Sequence, residues 1–342
     1  MIRPLFALLA ATTLGSSAFA WNAIGHRQVA DIAWSKLTPK SKQAIARILL
    51  AGDTVTDRGR DIVFAVPSGD YSEEYLEKVV RPVFDNAATW ADSQKYGKSK
   101  LFEERITKDN IDSPGINIPK EGDPHEEVRC KTWHYYDMPI ATGSNKPKPA
   151  RESNAIRALD LQKYLLEQES EKRAPNKLDE VYSLYWIEHI FGDLHQPLHC
   201  VSNFDVGPDG DEGGNGIRLG ITRPNGKDKI NLHSYWDSGV DHAILADKQF
   251  TSGLDTDPAV ISAAWIAELE PKIDPLLSSN LEPVAWVEEG WNIAKADVYP
   301  GIKQESKPTP EYQARQIEIV KRQVVLGGLR LANYLNRVFD KK

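Results

Sequence analysis

Four of the chain's eight histidines lie between Glu188 and Asp237, spaced as metal ligands are spaced. The stretch opens with His189, Asp193, His195 and His199, crosses a Gly-rich loop, and closes with His233 and Asp237. Residues four apart share a helix face, so His189 with Asp193, and His233 with Asp237, can each grip an ion from one side. Pro197 biases Gln196 away from helical geometry, which ends the first helix and lets His199 turn toward the same centre. A lone histidine is more often structural than a ligand. Two matched pairs with a further histidine at a helix break predict a metal site. His195, six helical positions from His189, faces another side and is expected either to support a ligand from behind or to be structural.

Such ligands need helices beneath them, and helical periodicity dominates the chain. Helices are expected over His26 to Leu37, Lys42 to Leu50, Ser153 to Gln168, Leu178 to Gln196, Pro258 to Leu269, Pro283 to Ala296 and Glu311 to Phe339. In the last, Ile317, Val320, Val324, Leu331, Leu335 and Val338 form a core-facing stripe. Pro82 suits the opening of a helix running through Trp90 and Asp92. The run Ile217 to Thr222 is β-like, and Asn225 with Gly226 is a hairpin-turn dipeptide, so a small hairpin is expected to carry His233 into place. Residues 97–124 and 141–148 read as surface loops. The fold class is therefore all-α: a single mainly helical domain with one small β-hairpin.

The first twenty residues stand apart. Arg3, the apolar run from Leu5 to Leu14, and the small-residue end at Ala18, Phe19 and Ala20 have the three parts of a secretory signal peptide. The apolar run is far shorter than the roughly 20 residues a membrane span needs, and no later stretch is long and apolar enough. Residues 1–20 are expected to be removed, leaving 21–342 as one domain in a secreted or periplasmic protein. Trp21 would then carry a free α-amino group. The formal charge is −7, and loss of Arg3, the only charge in the leader, makes the balance one unit more negative. That excludes nucleic-acid binding through a broad basic surface but leaves room for a local polyanion site built on cations. Cys130 lies four residues before His134, and Cys200 follows His199. If both histidines face one centre, the thiols are near enough to pair in an oxidising compartment. Two separate buried thiols are the alternative.

Three more places offer ligands. Asp92 lies in Trp90-Ala-Asp92-Ser-Gln-Lys95, His134 in Trp133-His134-Tyr135-Tyr136-Asp137, and His26 sits five residues after Trp21. An α-amine and its own carbonyl oxygen can chelate one ion through a five-membered ring. Histidine and carboxylate without thiolate suit Zn²⁺ best among the common metals.

Together these motifs resemble those of the zinc-dependent, single-strand-specific nucleases and 3′-nucleotidases of fungi, plants and bacteria, the type I nucleases. That family shares a superfamily with the bacterial zinc phospholipases C. The resemblance is carried by the N-terminal Trp with Gly25-His26, by W-A-D-x-x-K, H-Y-x-D and H-x-x-G-D-x-H-Q-P-L-H, by the loop from Asp211 to Asn215, and by N-L-H-x-x-W-D. It implies three Zn²⁺ ions. Asp92, His134, His189 and Asp193 would hold the first; His199, His233 and Asp237 the second; the amine and carbonyl of Trp21, His26 and the other oxygen of Asp193 the third. Asp92 and Lys95 would serve catalysis, Lys95 by offsetting charge on the phosphoryl oxygens, although a lysine one turn from Asp92 is otherwise an ordinary surface ion pair. Tyr135 would stack on a nucleobase and Asp137 would bind its edge. The substrates implied are single-stranded DNA or RNA and 3′-nucleotides, with no stable protein partner. A lipid phosphodiesterase built on the same cluster, and a non-catalytic zinc-binding protein, are the alternatives.

Overall fold

In a computed structural model of the chain, the described residues are 21–49, 55–57, 60–62, 71–94, 132–143, 145–151, 153–172, 177–223, 226 and 228–340. The leader, Lys95, the loop expected at 97–124, His125, Cys130 and Asn225 lie outside them.

The architecture is helical. α1 (Ala23–Lys36) begins at Asn22, whose side chain accepts from the Gly25 amide at 3.0 Å, a standard N-cap arrangement. It ends before Thr38-Pro39, where proline forces the preceding residue out of the helical region. α2 (Pro39–Leu49) follows. A first hairpin pairs β1 (Val55–Asp57) antiparallel with β2 (Arg60–Ile62). Next come α3 (Glu73–Tyr75), a π-turn at Leu76–Val80, α4 (Arg81–Ala87) and a 3₁₀ turn at Trp90–Gln94. Pro82 stands in the first turn of α4, as expected, but that helix stops at Ala87 and Asp92 falls in the separate 3₁₀ turn. Ser72 caps the run at Tyr75, and Pro82 sits just after the π-turn, a register slip that accommodates the missing N–H.

α5 (Ala155–Glu171) and α6 (Lys177–Asp193) pack against each other. Every residue from Asp179 to Cys200 is buried, so α6 has no polar stripe and runs through the core. β3 (Met138–Ile140) pairs in parallel with β4 (Val201–Asn203), and β5 (Arg218–Thr222) pairs antiparallel with β6 (Lys229–Asn231). The second pair is the expected hairpin, with Gly226 at φ +70° in its turn. The parallel pair and the β1–β2 hairpin are features the pattern of side chains did not suggest.

The remaining helices close the core: α7 (Leu232–Asp237), α8 (Gly239–Ala246), α9 (Pro258–Leu269), α10 (Pro275–Ser279), α11 (Pro283–Ile293) and α12 (Pro310–Phe339). The helix expected to reach Ala296 passes instead into a second π-turn at Ala294–Val298. α12 lies along α1, and α1 also packs against α4, α6 and α9. Gly328 permits that approach, since a Cβ there would stand 2.6 Å from the Ile32 Cβ. Trp34, Trp186, Trp236, Trp265 and Trp286 are fully buried around these helices. No helix among the described residues is long and apolar enough to cross a membrane.

Among the described residues Cys200 is a free, buried thiol; its expected partner, Cys130, lies outside them. The Cys200 Sγ faces the Leu194 and Gln196 carbonyl oxygens at 3.5 and 3.8 Å and packs against Gly290. Burial pushes the thiol pKa well up, so it is inert in this setting.

Candidate metal centre

The two central helices supply the middle of the site. α6 presents His189 and Asp193 from one face, and α1 brings His26 against them, its ring stacked on that of His189 with centroids 3.9 Å apart. Gly192 makes the stacking possible: a Cβ there would lie 2.7 Å from His26 Nδ1. The 3₁₀ turn after α4 adds Asp92, and the segment before β3 adds His134.

Distances show how tightly these groups converge. His134 Nδ1 stands 2.8 Å from His189 Nε2 and 3.1 Å from Asp193 Oδ2. His189 Nε2 is 3.2 Å from the same oxygen and 3.6 Å from Asp92 Oδ1. The other oxygen, Asp193 Oδ1, faces His26 Nε2 at 3.4 Å and His199 Nδ1 at 3.7 Å. Asp193 thus offers one oxygen to the His134 and His189 side and the other to the His26 side. Beside this lies a second group, with His199 Nε2 3.1 Å from His233 Nε2 and 4.0 Å from Asp237 Oδ1, and His233 Nε2 3.7 Å from Asp237 Oδ2. Three combinations have ligand atoms close enough to share an ion: His26, Asp92 and His189; His134, His189 and Asp193; His199, His233 and Asp237.

The parallel strands decide where the second group sits. Pairing of β3 with β4 lays Tyr136 beside His199, the Tyr136 amide donating to the His199 carbonyl at 2.8 Å. The His199 ring returns its Nδ1 proton to the His134 carbonyl at 2.6 Å. Asn231 caps α7 by accepting from Ser234 at 2.7 Å, which sets His233 and Asp237 on one face. Gln196 Nε2 donates to Asp237 Oδ1 at 2.8 Å while its Oε1 caps Leu198. Gln196 and Gly192 both lie in the H-x-x-G-D-x-H-Q-P-L-H run, yet neither is a ligand type, so residue chemistry alone passed over them.

The donor set fits a divalent cation. Backbone carbonyls only accept, so His189, His199 and His233, which bond the Ala88, His134 and Gly213 carbonyls through Nδ1, carry their proton there. Their Nε2 lone pairs point inward. Two such lone pairs 3.1 Å apart repel unless a cation lies between them, and ligand nitrogens around tetrahedral zinc at about 2.0–2.1 Å stand about 3.3 Å apart. Both nitrogens of His26 and Asp193 Oδ1 are buried with no well-formed hydrogen bond. Burial, then the neighbouring His189, lowers the His26 pKa to about 4 despite Asp193, leaving a neutral ring. Burial pushes the Asp193 carboxyl up, but His189, His134 and His26 outweigh it and hold it well below the usual range.

Trp21 is buried beside this centre. Its neighbour Asn22 donates its amide to the Asp237 carbonyl at 3.0 Å and its side chain to Asp241 at 2.8 Å. Tyr135 and Asp137 lie half-buried on the approach to β3. Burial, with Asp211 and Glu212 nearby and Arg151 opposing, pushes Asp137 up to about 6; burial and Asp137 push the Tyr135 phenol up to about 12. His195 takes no part. It donates to the Phe191 carbonyl and accepts from Arg330, as its position on the helix implied. His242 bonds Gln316. Asn215 closes its own turn through the Glu212 carbonyl and Asn231.

Residues 21–340 match the family model described as S1/P1 Nuclease. The chain belongs to the S1/P1 nuclease family. Among its relatives, Endonuclease 4 of Arabidopsis thaliana is 24% identical over 77% of this chain and 94% of its own length. Endonuclease 1 of the same plant is 31% identical over 46% of this chain and 50% of its own. Nuclease S1 of Aspergillus oryzae is 26% identical over 69% of this chain and 60% of its own.

One buried acid beside the cluster has a stability consequence. Glu188 is 1% exposed and neither carboxylate oxygen has a hydrogen-bond partner among the described residues; burial and then Asp85 raise its pKa well above 4.5. The folded state keeps this proton while the unfolded chain releases it near 4.5. The favourable contribution is therefore complete below that pH and is lost as pH rises through the folded value. Glu188→Gln should match the wild type in thermal stability at pH 4 and exceed it increasingly at higher pH, by up to about 1.4 kcal/mol per pH unit within that window. A difference that does not grow between pH 4 and 7 would show that Glu188 is charged in the fold.

Proposed function

We propose that this nuclease holds three zinc ions and hydrolyses single-stranded DNA and RNA to 5′-mononucleotides, with 3′-nucleotidase activity, as an exported protein beginning at Trp21. The observation that carries this reading is Asp193, whose two oxygens face two different sets of histidines while a third set, His199, His233 and Asp237, lies alongside. Asp92, His134, His189 and Asp193 would hold one ion, His199, His233 and Asp237 a second, and Trp21 with His26 and Asp193 a third.

Bound zinc supplies Lewis acidity and acidified water, the two things phosphoester hydrolysis needs at neutral pH. The chain supplies the rest. The backbone carbonyls behind His189, His199 and His233 hold each ring in the tautomer that leaves Nε2 free. Tyr135 offers a face for an unpaired base, and stacking tolerates any base while excluding a paired one; Asp137 meets the base edge. Lys95 would offset charge on the phosphoryl oxygens. A new bond from water oxygen to phosphorus would form as the bond to the 3′-oxygen breaks, the water giving up a proton and the 3′-oxygen leaving as a hydroxyl, so the phosphate stays on the 5′-oxygen. The acidic balance of the chain is compatible with this polyanion, because cations at the centre would provide the attraction.

The test is metal analysis of protein starting at Trp21, assayed on single-stranded DNA, 3′-AMP and phosphatidylcholine vesicles before and after chelation. The expected result is about three zinc per chain and chelator-sensitive cleavage of the first two substrates. A form retaining one residue before Trp21 should lose one zinc and most activity, because the Trp21 nitrogen is then a peptide amide rather than an amine. Turnover of the vesicles alone would point to a lipid phosphodiesterase, and full loading without hydrolysis to a zinc-binding protein.

A further inference from the structure

Gln196 breaks a local rule. It caps the 3₁₀ turn at Pro197–Cys200, its Oε1 accepting from the Leu198 amide at 2.7 Å, in a position where Asn, Asp, Ser or Thr is the usual residue. Asparagine makes the same bond to an amide two residues on, with one methylene less to order. The extra methylene of Gln196 therefore needs a reason beyond the cap. The side chain is fully buried, so solvent does not supply one.

The reason lies across the site. A backbone amide can only donate, so the bond from Leu198 fixes which end of the Gln196 amide is oxygen. Nε2 then faces Asp237, 41 residues away, and donates to its Oδ1 at 2.8 Å. Asp237 is the last residue of α7, where the carbonyl end of a helix does not attract a carboxylate, and a donor from outside the helix steadies its direction. The Gln196 backbone is tied in as well: its amide donates to the Asp193 carbonyl at 3.0 Å and its carbonyl accepts from the His199 amide at 2.9 Å. One residue thus joins the chain segments that carry Asp193, His199 and Asp237.

We propose that Gln196 is a positioning residue for Asp237, its length letting one amide both close the turn that presents His199 and orient the carboxylate that faces His199 and His233. This rests on the reading that His199, His233 and Asp237 hold a zinc ion. Gln196 acts only through Asp237 and the turn.

Gln196→Asn separates the two roles: it keeps the cap on Leu198 and leaves the amide nitrogen one methylene short of Asp237, outside hydrogen-bond range. Gln196→Met removes both bonds at similar volume. Zinc affinity of each site is measured by competition with a chromophoric chelator, and melting temperature is measured on the metal-free proteins. In both variants one of the three sites should weaken about 10- to 100-fold, the range for groups behind a ligand, and it should be the site that Asp237→Asn loses. The other two sites should be unchanged, and so should the metal-free melting temperature of Gln196→Asn; Gln196→Met, with the Leu198 amide left bare, should melt lower. Wild-type affinity at every site in Gln196→Asn would overturn the proposal and leave Gln196 as a cap alone. So would weakening of a different site, equal weakening of all three, or failure of both variants to fold, since each separates the residue from Asp237. Wild-type protein that takes up no zinc would instead remove the functional reading.

Discussion

Asp193→Asn should abolish measurable nuclease activity and lower zinc content by more than one ion per chain. The reason is the division of labour between its two oxygens, one 3.1 and 3.2 Å from His134 and His189, the other 3.4 Å from His26. An amide keeps the shape but presents only one good acceptor and no charge, so one side of the cluster faces an NH₂ group. The remaining imidazoles are neutral, and without the carboxylate the buried cations lose a principal counter-charge. Metal catalysis contributes several kcal/mol of transition-state stabilisation; a loss of about 4 kcal/mol corresponds to roughly 10³-fold in rate. The check is zinc per chain together with kcat/KM on single-stranded DNA. Retention of full zinc content and activity would show that Asp193 does not bridge. The comparison variant is Asp237→Asn, which touches one group only and should cost a single ion.

Arg330→Met should be among the most destabilising single changes away from the centre. Arg330 is fully buried, and its fork meets Glu289 at 2.9 and 2.6 Å, His195 Nε2 at 2.8 Å and the Leu277 carbonyl at 3.0 Å. It also lies over the Trp286 ring at 5.4 Å. Methionine restores packing volume but leaves His195 and Glu289 without their partner. Breaking a buried pair from one side costs about 3–5 kcal/mol. Glu289 retains some exposure and can rehydrate, so the lower end of that range applies, a fall of roughly 5–10 °C in melting temperature. Arg330→Lys keeps the charge but not the fork and should fall between. Replacing Glu289 by Gln in the Met background should recover part of the loss. A melting temperature within a degree of the wild type would mean that the network holds nothing.

Arg330 marks one boundary of what side-chain pattern can reveal. Nothing local distinguishes it from the other arginines of α12. Its burial follows from α12 crossing the end of α6 at His195, where Gly327 lets the backbone close on the imidazole. Pro82 and Cys200 mark the same boundary differently. Pro82 does stand in the first turn of α4, but that helix stops before Asp92 and no local pattern marks the stop; the Cys200 thiol is enclosed by the core, while Cys130, its expected partner, lies outside the described residues.

The candidate ligand positions that the fold brings together were legible from the sequence because coordination chemistry restricts such positions to few residue types and the helical repeat restricts their spacing. His189 with Asp193 and His233 with Asp237 satisfy both conditions locally, and the apolar stripe of α12 is likewise a periodic signal. What joins the two groups is non-local. The three-residue parallel pairing of β3 with β4 is too short to show alternation, and it depends on backbone bonds that any residue could make; yet it puts His199 beside His134. The same holds for Gly192 under His26 and for the carbonyls of Ala88, His134 and Gly213 that fix the imidazole tautomers. Such contacts carry no residue preference that a linear chain displays, because they are set by how closely two backbones approach, and only the packed fold decides that distance.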